Sequence, residues 1–203
     1  MSQETQKRAR GRPASIDKTQ ILDAATQAFW RLGYEGASLG ELTKATGVSR
    51  PTLYAAFGDK DALFDAALDH YAASTGAAPL VAFQSADDIS AAVEAFLRVS
   101  AEGNTQPDAP TGCLLACCAA MAAETSPPLR IKLHQQAQGL TAILTDRFRQ
   151  EVDKGALPAQ PTPDARAVLL GDFMRAQAVR ARSGASRKEI LSDLSIRVEA
   201  VLA

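Results

Sequence analysis

Residues 38–60 read SLGELTKATGVSRPTLYAAFGDK, and this stretch decides the architecture. Ser38-Leu39-Gly40-Glu41 has the S-x-x-E form of a capping box, in which a hydroxyl and a carboxylate satisfy the first free backbone N–H groups of a helix. It opens a short helix to about Thr46, and Gly47 then turns the chain. Ser49 is placed to cap a second helix, with Arg50 and Pro51 in its first turn and Gly58 as its stop. Leu42, Val48 and Leu53 form the apolar triangle that sets the angle between the two helices, so the pair reads as a helix-turn-helix.

A second helix of about two turns fits the DNA major groove, and its N-terminus points free N–H groups and a positive dipole outward. Ser49 and Thr52 are small or polar enough for the backbone to approach the bases closely. Arg50 reaches a guanine edge or a phosphate. Tyr54 and Lys60 suit phosphate oxygens, which position a helix without reading sequence. Two plainer readings stay open: an ordinary αα-hairpin carries the same glycine turn, and Tyr54 fits a half-buried aromatic.

Working outward, Ile21, Leu22, Ala25, Ala28, Phe29 and Leu32 recur at three- and four-residue steps from Lys18 to Leu32, one face of an amphipathic helix that Gly33 ends. On the other side, Asp59 is placed to cap a helix carrying Leu63, Phe64, Ala67, Leu68 and Tyr71. Upstream, Lys7, Arg8, Arg10 and Arg12 crowd together with no intervening acid. Residues 1–60 hold nine Lys/Arg against six Asp/Glu, whereas residues 61–203 hold thirteen against seventeen. A basic arm on a near-neutral body suits a nucleic-acid contact at one end, or else a solvated tail.

The 203 residues are enough for one or two domains with a real core, and 46% hydrophobic with 22% charged residues is ordinary globular usage. No apolar run approaches the length of a membrane span and no secretory signal follows the basic start, so a soluble, cytoplasmic chain is expected. Three cysteines, two of them adjacent, exclude a disulfide scaffold, and with two histidines and no C-x-x-C a zinc site has few ligands. Alanine is abundant and period-two alternation is absent, so the expected fold is all-α. Its expected organisation is a basic arm over residues 1–14, a three-helix helix-turn-helix domain over 15–72, and a helical ligand-binding and dimerisation domain over 73–203.

In that last part, the Gly/Ala/Ser-rich stretch Ser74–Ala86 reads as a separator, and Asp87 as the cap of a helix carrying Ile89, Val93, Phe96, Leu97 and Ser100. Gly103–Gly112 reads as a loop, followed by helices over Cys113–Ala123, Pro127 to about Asp153, and Pro163 to about Arg182 with Thr162 as cap. A second capping box opens a helix over Ser186–Leu202. Val168, Leu169, Gly171, Asp172, Arg175, Ala176 and Val179 mix small and apolar residues along the helix before it, and Ile190, Leu194, Ile196, Val198, Val201 and Leu202 exceed one narrow stripe. A four-helix interface between two subunits, with Leu194 and Val198 in its seam, would bury the surplus. The chain's own core is the competing destination.

Phe96, Leu114, Met121, Leu133, Leu140, Leu144, Phe148, Phe173 and Met174 are candidates for an apolar pocket, although a packed interior needs the same residue types. Cys113 follows Gly112 at a helix start, where the dipole favours thiolate, and Cys117 lies one turn on, next to Cys118. Such thiols bind a soft metal such as Cu(I), react with an electrophile or oxidant, or simply pack. The candidate ligand set is therefore Phe96, Cys113, Cys117, Met121, Phe148 and Phe173, with no resident metal or cofactor; His134 reads as exposed or structurally bonded. No catalytic constellation or phosphate-cradling glycine loop is present, so no enzyme is expected.

The stretch Gly11–Leu68 resembles the DNA-binding domain of TetR/AcrR-type bacterial transcriptional regulators. The matching motifs are I-L-x-A-A-x-x-x-F, G-Y-E-G-x-S-L, G-V-S-x-x-T-L-Y and F-G-D-K-D-A-L-F, and together they span just under a third of the chain. The resemblance implies DNA contacts from Ser38, Ser49, Arg50, Thr52, Tyr54 and Lys60, and minor-groove or backbone contacts from Arg10 and Arg12. It further implies a homodimer that binds palindromic operator DNA as a repressor and is released by a small effector held in the helical body. Ala55-Ala56 departs from the pattern, because many relatives carry an aromatic or His after the tyrosine. The alternative from another class is a helical protein-interaction module with no effector or specific DNA target. The basic arm, Lys60 and the density of the motif weigh against it.

Overall fold

The computed structural model describes residues 17–203, and the arm over residues 1–14, with Arg10 and Arg12, lies outside the described residues. All the regular structure among the described residues is helical. Helix α1 (Lys18–Gly36) is capped by Asp17, which accepts the Thr19 N–H at 2.9 Å, and its backbone leaves helical geometry at Gly33 (φ 72°). Then follow α2 (Leu39–Thr46), α3 (Arg50–Phe57) and α4 (Lys60–Ala73), the last capped by Asp59. Gly47 turns the chain between α2 and α3 with φ 69°, which an L-residue adopts only with strain. Ile21, Ala25 and Phe29 of α1 close on Leu42, Leu53, Leu63, Phe64 and Leu68, with Phe29 and Phe64 ring centroids 4.8 Å apart. Val48 packs against this core while only partly buried, so two corners of the expected triangle carry most of the burial.

Downstream, three expectations are corrected. Ser74–Ala86 is not a plain separator: it forms a tight turn over Thr75–Ala77 and helix α5 (Ala78–Ser85). Alanine is the strongest helix former and Pro79 sits in the first turn, so a sequence that looks like a linker is helical once Phe83 has a core to enter. Phe83 meets Phe96 and Phe148 edge-on, each at 5.9 Å. The cap of α6 (Ile89–Asn104) is Asp88 rather than Asp87, accepting the Ala91 N–H at 2.8 Å. The segment after Gly112 is a wide π-helical turn over Leu114–Ala119 with Cys113 as its extended cap, and regular helix returns only in α7 (Ala120–Ala122).

The rest follows the sequence closely: α8 (Pro127–Asp153) and α9 (Pro163–Arg182), with Thr162 capping α9. The last segment breaks at Ser192-Asp193 into α10 (Arg187–Leu191), whose capping box is complete, and α11 (Leu194–Leu202). Among the described residues no helix is long and apolar enough to cross a membrane.

A second core gathers Phe83, Val93, Phe96, Leu97, Leu144, Phe148, Leu170, Leu194, Val198 and Val201. Leu194 and Val198 therefore fill the chain's own interior, not an intersubunit seam. Of the residues expected at that interface, Val168 and Val179 on the outer face of α9 are 49% and 52% exposed, and Ile196 is 66% exposed.

The largest fully buried side chain is Arg166, and among the described residues no Asp or Glu pairs with it. Its guanidinium donates to four main-chain oxygens, Pro158 O, Pro161 O, Val201 O and Ala203 O, at 2.6–3.2 Å. Two of these belong to the end of α11, whose negative dipole end accepts a cation. Burial pulls the Arg166 pKa below the ordinary guanidinium value, and the carbonyl cage offsets that cost. Arg166→Leu should leave these acceptors unpaired and destabilise the fold by about 3 kcal/mol. Urea unfolding is the measurement, and the midpoint should fall with little change in slope.

Candidate functional site

Helix α3 presents one outward face. Ser49 accepts the Thr52 N–H at 3.4 Å, and the two hydroxyls lie 2.9 Å apart at the helix start. Ser38 does the same for α2, accepting from Glu41 N at 3.2 Å, and it stands exposed. Arg50 is exposed and folds back along the helix, with Nη2 3.4 Å from the Tyr54 hydroxyl and its guanidinium 5.4 Å from that ring's centre. Thr52, Tyr54 and Lys60 are partly buried, so each shows solvent a hydroxyl or ammonium on an otherwise packed stem. Lys60 sits over the Tyr34 ring at 4.3 Å, and the Tyr34 hydroxyl bonds Asp61. Burial, and then the Asp61 hydrogen bond, push the Tyr34 pKa up to about 12. Tyr34 is a residue the sequence reading missed. Its signal was the G-Y-E-G turn, but only the fold puts that ring beneath Lys60. The face as a whole offers the hydroxyls of Ser49, Thr52 and Tyr54, a guanidinium and an ammonium, which suits a polyanion and its base edges.

Behind the head, a cavity of about 570 Å³ opens between the end of α4, α5, α6, the π-helical turn, α8 and α9. Phe96 and Cys113 of the candidate ligand set line it. The other four do not. Phe148 is sealed in the second core, Phe173 packs against that core, and Met121 points outward at 67% exposure because α7 is too short to turn it in. Cys117 faces α9, where its S–H lies 3.6 Å from Ala178 O. The cavity is instead completed by Tyr71, Leu80, Ser100, Asn104, Leu140 and Met174. Ser100 was legible as a polar residue within an apolar stripe, but Asn104 fell in the expected loop Gly103–Gly112, and only the continuation of α6 to Asn104 sets it one turn beyond Ser100.

The three thiols do not converge on one point, and among the described residues no group of three His, Cys, Asp or Glu forms a metal cluster. Cys118 is buried in the head's core, with its sulfur 3.4 Å from Trp30 O, and burial pushes both the Cys117 and the Cys118 thiols up. Cys113 meets the Tyr71 hydroxyl, whose own pKa is raised first by burial and then by that neighbour.

Head and cavity meet at a knot of hydrogen bonds. The Trp30 indole donates to Gly112 O at 3.0 Å, and the Gly112 N–H donates to Asn104 O at 2.9 Å. Because α1 breaks at Gly33, the carbonyls of Trp30 and Arg31 are free. Arg182, at the end of α9, donates to both at 3.0 and 3.3 Å. Further along, Lys132 of α8 pairs with Asp65 and Asp69 of α4 at 2.6 and 2.7 Å. Burial alone would lower the Lys132 pKa, but the hydrogen bonds from the two carboxylates outweigh it and the net shift is upward.

Residues 21–67 match the family model described as bacterial regulatory proteins, tetR family. Over 188 residues the chain is 30% identical to the HTH-type transcriptional repressor ComR of Escherichia coli K12, a match spanning 91% of this chain and 89% of that protein. It is 40% identical to the repressor BdcR of the same organism over 75 residues, 37% of this chain and 38% of that one. Among solved structures, a cysteine-substituted form of the TetR family regulator CifR bound to double-stranded operator DNA matches with a TM-score of 0.85 at 30% identity. That match covers 93% of this chain and 99% of the other.

Gly112 is where the knot is most exposed to test. With φ 77°, a Cβ there would stand 2.8 Å from Ala178 O and 3.0 Å from Cys117 Sγ. Gly112→Ala should lower the melting temperature, at a cost of about 2 kcal/mol or more. Because Trp30 is the single tryptophan, its emission reports on the same spot and should shift to longer wavelength as the indole gains water.

Proposed function

The chain belongs to the TetR family of bacterial regulatory proteins, a family of transcriptional regulators and not of enzymes, and on that premise we propose that it is a cytoplasmic, homodimeric repressor that binds a palindromic operator and is released by a small effector. One observation carries the reading: α4 belongs to both ends of the molecule. Only two residues, Gly58 and Asp59, separate it from the reading helix α3, and its last turn brings Tyr71 into the cavity wall. A ligand that fits the cavity only when α4 is displaced draws the population toward that arrangement. The displacement reaches α3 through the Gly58-Asp59 junction.

In a dimer, two heads must present their α3 helices about 34–36 Å apart to enter successive major grooves, so a small tilt of α4 on each side spoils the match. On the DNA side, Arg50 is the base-reading residue, Ser49 and Thr52 allow close approach, and Ser38, Tyr54 and Lys60 hold phosphates. Arg10 and Arg12 add phosphate or minor-groove contacts from the arm. The pairing surface we favour is the outer face of α9, where Val168, Ala176 and Val179 are exposed with Asp172 between the first two, together with Ile196 of α11.

Selection from a randomised duplex library should enrich an inverted repeat. Arg50→Ala should relax preference at one position in each half-site, costing about 1–3 kcal/mol, whereas removal of residues 1–12 should weaken binding to every sequence and flatten its salt dependence. An unchanged Arg50→Ala profile across the library takes that residue out of base reading.

Val179→Asp places a charge on a surface that needs none for folding, so sedimentation should show a folded monomer and operator affinity should collapse as the half-sites are unlinked. Leu194→Asp should unfold the chain instead, because that side chain lies in the protomer's core.

A further inference from the structure

The cavity's chemistry narrows the class of molecule it takes, an inference that rests on reading the cavity as the effector site. Its wall is mostly apolar, with Phe96, Leu140 and Met174 among the contributors. Among the described residues, the charged side chains on that wall are Glu102 and Arg175, both partly exposed, and Arg175 is held by Asp172 at 2.9 Å. A charged ligand would lose its hydration there without gaining a buried counter-ion, which is costly.

Gln136 also lines that wall, partly exposed, with its Oε1 unpartnered among the described residues, but Ser100 and Asn104 are the wall's most deeply buried polar side chains. Both line the cavity, both are only 5% exposed, and they lie one turn apart on α6. Asn104 Nδ2 approaches Ser100 Oγ at 3.4 Å, and among the described residues no donor reaches Asn104 Oδ1. A carboxamide and a hydroxyl that satisfy only each other still hold one free acceptor and one free donor. A ligand hydroxyl matches both: it donates to the amide oxygen and accepts the serine O–H. The match survives reversal of the amide, because the hydroxyl can equally accept from the amide N–H and donate to serine.

We propose that the effector is an uncharged, largely apolar molecule bearing a hydroxyl, and that the Ser100–Asn104 pair receives that hydroxyl. The same residue passes the event on. The Asn104 backbone carbonyl holds the Gly112 N–H, and the Gly112 carbonyl holds the Trp30 indole of the head. A ligand seated on Asn104 thus bears on the knot that fixes α1.

The test uses the full chain without DNA and four probes: para-ethylphenol, para-ethyltoluene, para-ethylbenzoate and para-ethylbenzylamine. Binding is read by titration calorimetry and by the rise in melting temperature. Para-ethylphenol should bind more tightly than the benzoate or the benzylamine. Asn104→Leu should weaken the phenol about tenfold while leaving the toluene unchanged or tighter, since only the phenol loses a buried hydrogen bond. Ser100→Ala should move the phenol in the same direction by a smaller factor, and it carries the test if Asn104→Leu fails to fold. The proposal is overturned if phenol and toluene weaken in parallel, if either charged probe binds most tightly, or if no probe binds at millimolar concentration. Normal operator binding alongside any of those results leaves the regulator standing and removes only this ligand class. Tight phenol binding by a chain that ignores DNA does the reverse.

Discussion

The hydrogen bond from the Trp30 indole to Gly112 O is the constraint on which the rest of the arrangement depends. An indole N–H is a donor that must find a partner when buried, and Trp30 is 2% exposed. Its partner comes from a loop more than eighty residues away, and that loop approaches closely only because residue 112 has no side chain. Once the bond is made, Leu114, Cys118 and Ala119 enter the same core as Phe29 and Leu68. The head is therefore not a bead on a string, because part of the body's chain completes its interior.

That shared interior gives α4 its position. Its N-terminal half packs beneath the reading helix, its outer face is tied by Asp65 and Asp69 to Lys132, and its last turn meets the cavity at Tyr71. Packed helices switch between discrete arrangements more readily than they deform continuously, because close packing resists gradual strain. A helix whose apolar face from Leu63 to Tyr71 is held in one core, and whose last turn also walls the cavity, is suited to such a switch. The Lys132 pair ties α8 to the outer face of α4 through two exposed carboxylates, a contact of modest worth.

The cysteines show how one sequence motif divides in space. Cys118 and Cys117 spend their S–H groups on backbone carbonyls at the knot and behave as small packed side chains, the first buried and the second half-buried. Cys113 alone reaches the cavity, next to Tyr71. The start of the π-helical turn accounts for the division. Cys113 stands before it in extended backbone (φ −101°, ψ 132°), whereas Cys117 lies within the turn, so the two do not share a helical face.

The sequence by itself determined what is local. Caps at Ser38, Ser49, Asp59, Thr162 and Ser186, the glycine at 47, and the apolar steps of α1, α8 and α9 all place themselves through neighbours within four residues. The reading head was legible for that reason, and so was the face carrying Arg50 and Tyr54. Tertiary structure decided everything that depends on which distant surfaces meet. It put Lys60 over Tyr34, made a helix of Ser74–Ala86, buried Leu194 and Val198 within the protomer, and exposed Met121. It also drew the cavity wall from six separate elements, so that Ser100 and Asn104 line it while Phe148 and Phe173 do not. The physical reason is that an apolar side chain carries the same periodic signal whether it faces a core, a cavity or a partner. Only the three-dimensional neighbour distinguishes these, and burial is a property of pairs of surfaces rather than of residues.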